Sequence, residues 1–169
     1  MRYDLTTRNK IYSTMLAYEK DIEAILKVLF VSSKPYSDIL KRLLVINNKD
    51  CLDMSNEDYQ KVIDSMYLGD LIDKGYIKLN PKIERGTHEE IKTYLFINVD
   101  NFENSKIKGY RDYIIFFDIV CYNDVWQLND YKNRPLSIAG YIDGILNSLT
   151  SNQINFGDLK SHFKASGIG

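Results

Sequence analysis

Glu90 and Lys92, separated by Ile91, come closest to a reacting pair in this sequence. In an extended strand, residues two apart point to the same face. A carboxylate and an ammonium so placed, with a further carboxylate from upstream, can hold a divalent ion and polarise a phosphodiester. Asp73 or Glu84 would be the upstream partner. The same spacing also arises on any solvated strand edge, and that is the reading we expect here. His88 and His162 are the only histidines, and neither has a second His or Cys at ligand spacing, which argues against a structural zinc site. No stretch resembles an EF-hand loop, a Gly-x-Ser-x-Gly elbow or a glycine-rich phosphate loop. Asp118 interrupts an apolar run, and a buried carboxylate there would need a partner or a proton. We expect it on the less buried face, or bonded to a nearby Arg or Tyr, rather than acting as an acid. The expectation is a chain without catalysis, metal or cofactor.

The elements that would position these residues follow from periodicity. Met15, Tyr18, Ile22, Ile25, Leu26 and Leu29 recur every three or four residues, predicting a helix from about Ser13 to Val31. Pro35 ends it, since the residue before a proline is pushed out of helical geometry. A short helix from Ser37 carries Ile39, Leu40, Leu43 and Leu44 on one side, and Asn47 to Asp50 reads as a turn. A third helix opens at Ser55 as its cap, with Tyr59, Val62, Ile63 and Met66 as its buried stripe and Gly69 or Gly75 as its end.

Strand periods follow. Tyr76 to Leu79 alternates and runs into Pro81. Between Ile91 and Val99, Ile91, Thr93, Leu95, Ile97 and Val99 share one face, and Lys92, Tyr94, Phe96 and Asn98 the other. Tyr113 to Tyr122 is apolar on both faces, which predicts a central strand covered by helices on at least one side. The link from Asp100 to Asp112 is long for a hairpin and carries Lys106, Lys108 and Arg111. Those cations are candidates for contact with a nucleic acid, although Glu103 and Asp112 among them favour an ordinary solvated loop. Pro135 suits the first turn of a last helix, in which Ile138, Ile142, Ile145 and Leu149 form a stripe flanked by Ala139 and Leu146. Trp126 either caps the core at the strand's end, the preferred reading, or anchors a subunit contact. Arg134 either pairs with Asp124 or Asp130 or stays solvated.

These elements give an α+β class: a mainly antiparallel sheet packed against helices, with a helical N-terminal third. We expect a single domain over residues 1–169, divided into a helical part of about 8–70, a sheet-plus-helix part of about 75–150 and a weakly patterned tail, 151–169. The 44% apolar and 27% charged fractions are ordinary for a globular chain. Lys+Arg (22) and Asp+Glu (23) nearly cancel, so the overall pull toward DNA expected of a dedicated nucleic-acid binder is missing. Thirteen tyrosines add weak support for protein contacts, since Tyr offers large area with a polar tip. Cys51 and Cys121 are the only cysteines; they do not make a disulfide framework, and a reduced, cytoplasmic origin is expected. No apolar stretch reaches signal-peptide or membrane-spanning length, so a soluble, non-exported protein is expected.

Three pieces taken together carry a resemblance: Lys74 to Ile83 (KGYIKLNPKI), the strand ending FDIVCYNDVW at Trp126, and the helix from Arg134-Pro135 through Ile142-Asp143-Gly144-Ile145-Leu146. Their order and wording resemble the tail terminators and head–tail connectors of tailed-bacteriophage necks. The resemblance implies a non-enzymatic virion protein that packs a sheet against helices. It implies assembly into a ring, often a hexamer, that ends tail-tube growth and joins tail to head. The implied partners are further copies of the chain, the tail-tube protein and a head-completion or connector protein, with non-specific contact to DNA in the channel and no membrane. Lys106, Lys108, Arg111, Trp126 and Arg134 are the candidate subunit or channel contacts. The implied location is the virion, and the host cytoplasm during assembly. Similar sequences continue past a Gly-Ile-Gly turn into further strands, whereas this one stops at Gly167-Ile168-Gly169. The expectation is therefore a shortened chain, or a sheet completed by a neighbour. The alternatives are a head-completion protein of the same neck, or a non-viral regulatory module that binds nucleic acid or protein through its N-terminal helices.

Overall fold

The computed structural model describes residues 19–79, 92–104 and 111–148. Helix α1 (residues 19–27) runs into a π turn at Val28–Ser32. Ile22, Ile25, Leu26 and Leu29 are buried, as the periodicity predicts, while Glu23 and Lys27 pair on the solvent side. In the wider π turn Val28, Leu29 and Phe30 are all buried in succession, leaving Val31 outside. The Ser33 hydroxyl donates to the Val28 carbonyl at 2.8 Å and helps close the end.

Helix α2 (Tyr36–Val45) starts directly after Pro35 and buries Leu40, Leu43 and Leu44 completely. Helix α3 (Glu57–Asp64) is capped by Asn56, not Ser55: the Asn56 side-chain oxygen accepts from the N–H groups of Asp58 and Tyr59 at 3.1 and 3.2 Å. Ser55 instead donates its N–H and hydroxyl to Asp53. The expected stripe is partly corrected too, since Ile63 and Met66 are buried but Val62 is exposed. The chain bends at Ser65 and resumes as α4 (Leu68–Asp73), so Gly69 lies inside a helix. Gly75, at φ +75°, ends α4, and its N–H reaches the Ile72 carbonyl at 2.9 Å.

Strand β1 (Ile77–Lys78) pairs parallel with β2 (Thr93–Asn104), which pairs antiparallel with β3 (Arg111–Cys121). The order is β1-β2-β3. Among the described residues β2, not β3, is thus central, contrary to the expectation drawn from β3's apolar faces. The side chains explain the difference. Ile115, Phe117 and Ile119 pack on the core, but Ile114 and Phe116 on the other face are 52% and 43% exposed. The long link between these strands is also shorter than expected. Past a bulge, Glu103 and Asn104 pair with Asp112 and Arg111, so the ladder extends through most of it.

A one-turn helix, α5 (Asn123–Trp126), and helix α6 (Arg134–Ser148) complete the chain as described. Ile138, Ile142 and Ile145 are buried, and α6 packs on β3, α2 and the π turn. One apolar core therefore lies between the helices and the inner face of the sheet, giving the α+β architecture with helical N-terminal part. A tilted ring contact between Tyr36 and Tyr141, centroids 6.2 Å apart, ties α2 to α6 at the surface. The predicted helix start at Ser13, together with Pro81, Glu84, His88, Glu90, Ile91, Lys106, Lys108, Leu149 and the tail with His162, lies outside the described residues.

Candidate interaction surfaces

Arg134 is fully buried and donates to four backbone carbonyls. Its Nε donates to the Val125 carbonyl at 2.7 Å, Nη1 to the Leu43 and Ile46 carbonyls at 2.7 Å each, and Nη2 to the Asn48 carbonyl at 2.9 Å. Both sequence readings, an ion pair with Asp124 or Asp130 and a solvated charge, are thereby overturned. The cause is the end of α2, where the last carbonyls have no partner within the helix and a planar guanidinium can serve several at once. Arg42, also fully buried, has a similar role within α2, donating to the Asp53 carbonyl and the Gln60 side chain. Nothing in the residue order flags it, because Arg42 sits among apolar residues where a charge is rarely buried.

Arg134 also fixes what precedes it. Residues 127–133 form a small hairpin: Gln127 and Asn133 make an antiparallel bridge, and Leu128 N–H donates to the Lys132 carbonyl at 2.9 Å. Leu128 is buried, and Asn129 N–H is held by the Lys49 carbonyl at 2.9 Å. The two central residues, Asp130 and Tyr131, have φ of 60° and 57°. Positive φ at both positions is the mark of a type I′ turn, usually made with Asn-Gly. Aspartate tolerates the left-handed region, but tyrosine has no Cβ-free relief there and no short side chain to bond locally. Tyr131 is nevertheless 99% exposed. It was missed in the sequence because no glycine flags the turn.

Trp126, preferred as a core cap, faces outward at 38% exposed, while its neighbour Val125 is the residue that fills the core. A four-residue helical turn directs one of these adjacent side chains inward and the other out.

The outer face of the sheet holds the second surface, open along β3 but closed at β2, where Tyr94 and Phe96 are buried. Lys78, Phe96 and Asp118 are successive register partners across β1, β2 and β3, so they form one row on one face. Lys78 Nζ lies 5.1 Å from the Tyr94 ring centroid and 5.7 Å from that of Phe96. Asp118 is exposed and accepts from the Asn98 amide at 3.1 Å. It thus stands on the less buried face, as expected, with an asparagine rather than an Arg or Tyr as partner. Ile114 and Phe116 continue this face along β3.

Of the remaining candidate chemistry, Lys92 has its ammonium 5.6 Å from the Tyr76 ring centroid. Burial pushes the Cys51 thiol up despite the nearby Arg134 guanidinium, and burial likewise raises Cys121, against a bond from Thr93. Both are free thiols. Arg111 begins β3, opposite Asn104. No group of three or more His, Cys, Asp and Glu that could hold a metal occurs among the described residues. No helix among them is long and apolar enough to cross a membrane.

The family profile named YomW matches residues 37–167. The chain belongs to the YomW family. YomW is a phage-derived family, of the kind carried by SPbeta-like prophages of Bacillus, which makes this a phage-associated protein. The YomW match takes in α2 through α6, and with them both buried arginines, the Tyr131 hairpin and the outer row of the sheet. No curated protein and no solved structure matches the chain.

Proposed function

We propose that this YomW-family chain is a structural protein of the phage neck, a ring-forming tail terminator that ends tail-tube growth and joins tail to head. The observation that carries the reading is the membership of a phage-derived family. The resemblance of KGYIKLNPKI, FDIVCYNDVW and the Arg134-Pro135 helix to neck proteins narrows it to that part of the particle. Ile114 and Phe116, open side by side on β3, support a role in assembly, because contiguous exposed apolar area marks contact surfaces, and Trp126 on α5 is exposed as well.

In this reading the protein works without catalysis or cofactor. Its partners are its own copies in a ring, the tail-tube protein on one side and a connector or head-completion protein on the other. Lys106, Lys108 and Arg111, the cations singled out in the sequence, would be its contacts to the channel DNA or to an adjoining ring. The protein is made in the host cytoplasm and ends in the virion.

Cryo-electron microscopy of the neck is the test. A ring of this chain at the head-proximal end of the tail is the expected result, with tails of abnormal length when the gene is deleted. Absence of the chain from purified virions, with intact tails of normal length in the deletion, rejects the proposal. Magnesium-dependent cutting of DNA by the purified protein, abolished by Glu90→Ala together with Lys92→Ala, would replace it with a nuclease.

A further inference from the structure

The hairpin tip and the outer sheet face carry complementary charges. At the tip the order is acid, aromatic, base: Asp130, Tyr131, Lys132, all exposed. Across the sheet Lys78 and Asp118, in register on β1 and β3, stand on either side of Phe96, which is itself buried with the Lys78 ammonium over its ring. Adjacent strands lie about 4.8 Å apart, so the two charges stand about two such spacings apart, within reach of the side chains on either side of Tyr131. Phe116 and Ile114, beside that row, supply the open apolar surface on which a ring can settle.

We infer that Tyr131 of one copy docks on the outer sheet face of the next, against Phe116 and Ile114, with Lys132 meeting Asp118 and Asp130 meeting Lys78. The occupant of the sheet face is thus a second copy of this chain. Charge complementarity argues for it, since the two rows pair opposite signs in one orientation only. So does the placement of the two surfaces. The hairpin is tied to the helical layer, through Asn129 to Lys49 and Arg134 to Leu43. Ile114, Phe116 and Asp118 point the opposite way from Ile115, Phe117 and Ile119, which pack on the core below that layer. One subunit cannot join its own tip to its own sheet face. The contact is heterologous, the kind that closes into a ring when the rotation between copies allows. The strained backbone of Tyr131 fits this role. A large ring is held in a disfavoured conformation by a rigid hairpin, so little freedom remains to be lost when it binds.

The inference rests on the ring-forming reading, and the experiment separates the two. Self-association of the full chain is measured by sedimentation equilibrium for the wild type, Tyr131→Gly, Lys132→Glu, Asp118→Lys and the double variant Lys132→Glu/Asp118→Lys. The expected result is association in the wild type, weakened about tenfold or more by Tyr131→Gly, as for an aromatic hot spot. Each single charge reversal weakens it as well, and the double reversal restores it. Wild-type association unchanged in Tyr131→Gly overturns the contact and leaves the ring standing. Should the wild type be monomeric at every concentration, the contact is read in the neck. A ring with Tyr131 away from the neighbour's β3 overturns the contact alone, a ring with Tyr131 on it supports the contact, and no ring removes both.

Discussion

Arg134 Nη1 donates to the carbonyl of Leu43 across 91 residues of sequence, at 2.7 Å. The first residue of α6 thereby closes the last turn of α2, and three further carbonyls share the same guanidinium. Leaving such buried acceptors unpaired costs about 1–3 kcal/mol apiece. Arg134→Met should therefore lower unfolding stability by about 3–5 kcal/mol, within the range for breaking a buried charged network. Arg134→Lys should recover only a fraction of the loss, because an ammonium cannot reproduce the planar fork. Urea denaturation checks both. Equal stability of wild type and Arg134→Met would show the bonds to be dispensable.

The cap of α3 discriminates between neighbouring residues. Asn56→Ala removes two side-chain bonds to free N–H groups and should cost about 1 kcal/mol. Ser55→Ala should cost less, since Ser55 only decorates Asp53 on the surface. Thermal melts of the two variants would reveal a reversed order if the helix were instead capped at Ser55.

Two left-handed positions should respond in opposite senses. Tyr131→Gly relieves a tyrosine at φ 57° and should stabilise the isolated monomer by about 0.5–1 kcal/mol, even as it weakens self-association. Gly75→Ala puts a Cβ at φ 75° and should destabilise by about 1 kcal/mol, although the Cβ would meet only the flexible end of Lys78 at 3.6 Å. Calorimetry at low protein concentration separates strain from assembly.

Burial raises both thiols above their ordinary value of 9.0. A group whose folded pKa is raised keeps its full contribution to stability below the unfolded pKa and loses it as pH rises toward the folded one. Stability should thus hold up to about pH 9 and decline above it, and Cys51→Ala should make that decline shallower. In native protein at neutral pH, Cys51, fully buried, should resist iodoacetamide until the chain unfolds. Rapid alkylation of Cys51 under native conditions would contradict the packing described.

Much of the fold was legible in residue order, because periodicity is a local property. The stripe of Ile138, Ile142 and Ile145 and the helix carrying Leu40, Leu43 and Leu44 bury the side they predict, whereas from Thr93 to Ile97 both faces are buried, Tyr94 and Phe96 included. The α+β class follows from those patterns alone. What they could not give was neighbourhood. An apolar strand reads as central whether its second face meets a helix, solvent or another molecule, so β3's place beside β2 was decided only when the strands paired. The charges of Arg42 and Arg134 look like surface charges until the end of α2 and the loop beyond it come to surround them. Likewise, Lys78, Phe96 and Asp118 are far apart in the chain and become one row through strand register. Sequence determined which elements form, since each depends on contacts a few residues away. Tertiary structure decided which polar groups are buried and which apolar faces stay open, because both depend on what the rest of the chain brings alongside.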